Sequence, residues 1–115
     1  MSGITAVIGA IGTDKDPNSV DWANISGANP TQSTTDETLD GFFGSIDVSI
    51  AYTGAASVEY RIDSGTWTTY SGAFSVDTGE TVGWRFTNFG TDSGTATVTN
   101  DTTGKDLDTF TVTLT

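Results

Sequence analysis

The sequence predicts an all-β fold, an antiparallel sandwich of roughly seven to nine short strands. Three observations carry this. Apolar and polar residues alternate in several short runs, the period-2 pattern of half-buried strands. Turn residues separate these runs every ~8–12 residues. Threonine, serine and glycine abound while leucine is scarce, which suits pleated surfaces and tight turns.

The first strand candidate is Ile4 to Ile8, within an apolar run that ends at Ile11. A polar stretch with Pro17 follows from Gly12 to Ser19, then a short element over Val20 to Ile25 anchored on Trp22. Gly27 to Glu37 is rich in Asn, Pro, Ser and Thr and reads as a loop. Thr38 and Leu39 begin a strand broken at Gly41. Ile46, Val48, Ile50 and Tyr52 alternate with Asp47, Ser49 and Ala51, a half-buried strand.

Two strings then match each other, Val58-Glu59-Tyr60-Arg61-Ile62 and Val82-Gly83-Trp84-Arg85-Phe86. Their alternate apolar residues share a core face, and Arg61 and Arg85 point the other way. As sheet neighbours, the strings would hold both arginines on one outer face. Between them lies Asp63-Ser64-Gly65-Thr66, a hairpin signal. A two-residue turn at Ser64-Gly65 pairs Ile62 with Trp67 and Tyr60 with Thr69. Trp67 then faces the core, where indole burial contributes a few kcal/mol, and Tyr70 faces out. A three-residue loop with a bulge would invert this register. Ala73 to Val76, Ala96 to Val98 and Leu107 to Leu114 complete the strands, and the last buries Phe110, Val112 and Leu114.

A length of 115 residues fits one domain, here 13–115, preceded by residues 1–12 as an N-terminal arm or first strand. The formal net charge of -11 opposes binding to nucleic acid or to anionic membranes, both of which need basic patches. With neither Cys nor His, disulfides, thiolate metal sites and the usual nucleophile–base pairs are excluded. Asp106 and Asp108 lie two apart and are expected to share a face, but an acidic chain scatters carboxylates widely. We expect no catalytic residues and no cofactor. Asp14, Asp16 and Asn18 place oxygens at alternate positions, as a calcium loop does, yet Ser19 and Ile25 stand where that pattern wants Gly and Glu. A solvated turn is the plainer reading. Asn24-Ile25-Ser26 and Asn100-Asp101-Thr102 fit the glycosylation sequon, but we expect no signal peptide and therefore no glycan there.

Val20 to Ile25, the Ile46 to Tyr52 strand, Val58 to Ile62 through Gly65-Thr66-Trp67, Gly79 to Val82 and Asp108 to Thr113 resemble Ig-like modules of tailed-phage virion proteins. The resemblance covers roughly Val20 to Thr115 and rests on aromatic-rich strands and turns that recur in many sandwiches. It implies an Ig-like β-sandwich with a decoration or attachment role on capsids or tails, and no catalytic residues to carry over.

The expectation is a complete, small, non-enzymatic virion structural protein, made in the host cytoplasm. It would be a capsid decoration or cement protein that binds the major capsid protein or another virion protein as a homo-oligomer. Candidate partner contacts are Ile4, Val7 and Ile8 of the arm, Arg61 and Arg85 of the outer face, and Tyr70. The rival readings are a tail or neck component and a glycan-binding module. The latter needs Trp67, Tyr70 or Phe74 exposed together.

Overall fold

The computed structural model describes residues 14–28, 30–54, 57–87 and 93–114. The Ile4 to Ile11 run lies outside them. The described chain is all-β, an Ig-like sandwich of two packed sheets. Its ten strands are β1 (Ile25–Gly27), β2 (Thr31–Ser33), β3 (Glu37–Thr38), β4 (Ser45–Tyr52), β5 (Ser57–Ile62), β6 (Thr68–Thr69), β7 (Phe74–Asp77), β8 (Thr81–Thr87), β9 (Ser93–Asn100) and β10 (Lys105–Leu114). One sheet runs β1-β10-β9-β4-β7, and the other β2-β8-β5-β6 with β3 also on β8. Pairing is antiparallel except for β1 on β10.

The strands follow their patterns. In β4, Ile46, Val48 and Ile50 are buried, while Asp47 and Ala51 are exposed. The two matching strings are sheet neighbours: Val58 lies opposite Phe86, Tyr60 opposite Trp84 and Ile62 opposite Val82. Trp84 and Phe86 are buried, and Tyr60 packs half-buried against them.

Trp22 closes the core from outside any strand. Its ring meets Trp84 edge-on at 6.0 Å and Phe110 at 6.5 Å, and its Nε1–H donates to the Val82 carbonyl at 2.8 Å. Asp108 Oδ2 accepts from the Trp22 backbone N–H at 2.7 Å, pinning this segment beside β10.

Four expectations are corrected. The Gly27 to Glu37 stretch is not all loop, because β2 lies inside it and pairs with β8. The hairpin turns at Asp63-Ser64, where φ is 52° and 58°, and Gly65 N–H closes it onto the Ile62 carbonyl. Two left-handed residues in a row suit a tight hairpin. The ladder beyond this turn sets Tyr60 opposite Thr68, not Thr69, the register of the three-residue loop, and this one-residue slip inverts both aromatics that follow. Trp67 lies outside. Tyr70, expected to be exposed, turns inward, meets Phe74 and Trp84 edge-on, and accepts the Ile50 amide on its hydroxyl at 3.2 Å. Finally, a bulge between Asp106 and Asp108 puts Asp106 opposite Thr99 and Asp108 opposite Val98. The extra residue separates the two carboxylates onto different faces.

Candidate interaction face

The outer face of the β2-β8-β5-β6 sheet gathers both arginines of the chain. Glu59 lies opposite Arg85 and Arg61 opposite Gly83, so the two guanidiniums sit diagonally on adjacent strands. Each is held by a fork of two hydrogen bonds. Arg61 donates through Nε and Nη2 to Asp36 at 3.0 and 2.8 Å. Arg85 donates likewise to Glu59 at 2.8 and 3.0 Å. Two-point pairing fixes the plane of each guanidinium as well as its position.

The Asp63-Ser64 turn brings Trp67 back over this face. Its ring centroid lies 4.5 Å from the Arg61 guanidinium carbon and 4.7 Å from that of Arg85, so one indole is in cation–π range of both. Ser64 from the same turn donates to Asp36 Oδ2 at 3.0 Å. Gly83 makes room between the arginines, since a Cβ there would collide with Asp36 Oδ1.

The carboxylates respond to this setting. Hydrogen bonding from Arg61 holds Asp36 below its ordinary 3.8, against the opposing pull of partial burial, and Ser64 assists. Arg85 lowers Glu59 from its ordinary 4.5 in the same way. Bonding to Asp36 pushes Arg61 further up. Asp36, Glu59 and Arg61 are therefore charged at neutral pH.

Arg61 and Arg85 thus share one outer face as expected, and Glu59 neutralises Arg85. Asp36 and Trp67 were not foreseen. Asp36 sits in a polar stretch with no periodic signal, whereas Trp67 was reachable through the alternative hairpin register.

The other sequence candidates do not join this face. Ile4, Val7 and Ile8 lie outside the described residues. Tyr70 is packed inward. Asp14, Asp16 and Asn18 each have hydrogen-bond partners of their own. Asp14 Oδ1 accepts from the Asp16 amide, Asp16 Oδ1 from Thr103 and Asn100, and Asn18 donates to Asp40. These bonds fasten the segment to the loops at that end of the sandwich. A cavity of about 90 Å³ lies between Asp16–Ser19 and Lys105–Leu107, with Asp16, Lys105 and Asp106 in its lining. The chain matches no family model and no curated protein sequence.

Proposed function

We propose that this chain is a non-enzymatic structural protein of a tailed-phage virion, a capsid decoration or cement protein that works by binding. The observation that carries the reading is the Trp67 cluster. Tryptophan and arginine dominate binding hot spots, and here two arginines and an indole are fixed in advance on an open sheet face. Preorganised side chains lose little freedom when a partner arrives. The resemblance to phage Ig-like modules supplies the virion setting, and the acidic surface suits a protein displayed in water.

The tail or neck reading shares the fold and differs only in location. The glycan-binding reading is less well supported, because Tyr70 and Phe74 pack against the core and no ring contact to Trp67 is found among the described residues. Mass spectrometry and cryo-electron microscopy of purified particles of the encoding phage test the proposal. Density for the sandwich on the shell exterior is the expected result. Absence from the virion overturns it, and density confined to the tail selects the alternative.

A further inference from the structure

We infer that the Trp67 face is a self-association surface, through which two copies of this chain pair about a two-fold axis. The argument begins with charge. The chain carries 15 acidic and 4 basic side chains, a net charge of -11. Removing Arg61, Arg85, Asp36 and Glu59 takes away two charges of each sign. What remains is 13 acidic and 2 basic side chains, so the whole net charge of -11 lies outside this cluster. Two such chains repel each other wherever their acidic surfaces meet. They meet at least cost where each presents a locally neutral patch.

The same patch is self-complementary. Each guanidinium bonds through Nε and Nη2, leaving Nη1 with no bond among the described residues. The carboxylates of Asp36 and Glu59 have further lone pairs to offer. A two-fold axis brings the same patch of each molecule together, so a guanidinium donor of one copy that meets a carboxylate of the other is matched by the reciprocal contact. The fixed indole of Trp67 supplies the apolar contact between them. Ser57, Thr69 and Thr87 on the paired strands are small and uncharged, and Asp63, in the turn beside Arg61, adds one carboxylate at the rim, where it accepts from the Thr81 amide. The inference stands whether or not the protein is found in virions.

The sign of the salt dependence separates a second copy from a basic partner. Screening weakens repulsion between two acidic chains, so added salt should strengthen self-association, whereas it would weaken binding of a cationic partner. Sedimentation of the full chain across micromolar to millimolar concentrations should show a dimer. Its dissociation constant should fall about tenfold between about 0.05 and 0.5 M NaCl. Thr69→Glu, which places a like charge beside Trp67, should raise that constant about tenfold or more. Thr97→Glu on the outer face of the other sheet adds the same charge and should act far less. On the unaltered chain, hydroxyl-radical footprinting should show Trp67 becoming protected as concentration rises. Trp22 and Trp84, both fully buried, serve as internal references. A monomer under all conditions, a dimer weakened by salt, a dimer that tolerates Thr69→Glu as well as Thr97→Glu, or a Trp67 that is never protected would each overturn the inference.

Discussion

Trp22 and Trp84 are both fully buried and meet edge to face, yet their indole nitrogens fare differently. Trp22 Nε1 donates to the Val82 carbonyl, whereas Trp84 Nε1 is buried with no hydrogen-bond partner among the described residues. What surrounds the Trp84 ring is aromatic, with Trp22, Tyr70 and Phe74 centroids 5.6 to 6.5 Å away. Ring faces are weak acceptors that offset only part of the lost hydration. Replacing either indole by phenyl removes a similar volume from the core, but only Trp22→Phe breaks a made hydrogen bond. Trp22→Phe should therefore be more destabilising than Trp84→Phe by about 1–2 kcal/mol in urea unfolding. Equal losses would mean that the Trp22 bond contributes nothing. Gly83 makes a second residue-scale case. Gly83→Ala must push Asp36 aside, but the obstacle is the end of a flexible side chain, so the fold should survive. The readout is the Asp36 carboxyl, which should titrate nearer its ordinary 3.8 when followed by carbon NMR. An unmoved titration would show that Asp36 and Arg61 remain paired without the gap at Gly83.

Among the elements, β5 and β8 bear Glu59, Arg61 and Arg85 while Asp36 reaches in from between β2 and β3, and the pairs' stabilisation has a defined pH dependence. Asp36 and Glu59 hold folded-state values below their ordinary 3.8 and 4.5, so near those values the unfolded chain binds more protons than the folded one. The contribution is fully present above the ordinary values and is lost as pH falls through them to the lower folded values. Protonation of the many other carboxylates relieves self-repulsion and acts in the opposite direction. The comparison is therefore with Asp36→Asn/Glu59→Gln: the unaltered chain should lose more stability than this variant between about pH 5.5 and 3 in thermal melts. Parallel curves would show the pairs to be energetically silent. The strands that carry these pairs were legible in the sequence, because alternation sets the face of each residue once a strand is recognised. The register after Ile62 was not. It depends on which residues of Asp63-Ser64-Gly65 adopt left-handed backbone, and glycine draws the expectation one step too far along. The bulge at Leu107 was hidden for a related reason, since an inserted residue leaves no mark in an otherwise regular alternation. Asp36 was invisible because its contact with Arg61 spans 25 residues and belongs to no local pattern. Side chains also close single strand amides: Glu80 accepts from the Asp77 amide of β7, Tyr70 from the Ile50 amide of β4, and Asn24 from the Thr111 amide of β10.

For the whole molecule, the question is whether the field of 15 carboxylates or the two ion pairs dominates its response to salt. The ion pairs are short and partly shielded, with side chains 18–31% exposed, so screening reaches them weakly. The remaining acidic groups repel one another through solvent over distances comparable to the Debye length, about 10 Å at 0.1 M and 3 Å at 1 M, and added salt acts mainly on this repulsion. Folding concentrates the net charge of -11 into a compact volume, so relieving the repulsion favours the folded state. The melting temperature should rise by a few degrees between about 0.05 and 0.5 M NaCl. Because salt also favours the proposed dimer, and dimerisation raises apparent stability by mass action, the measurement belongs on dilute protein and on Thr69→Glu. A rise that persists in Thr69→Glu reports self-repulsion within one chain, whereas a rise confined to the unaltered chain reports association. A fall in both would mean that the Asp36–Arg61 and Glu59–Arg85 pairs outweigh the acidic field, and would remove the electrostatic ground on which a neutral face is the preferred place for two copies to meet.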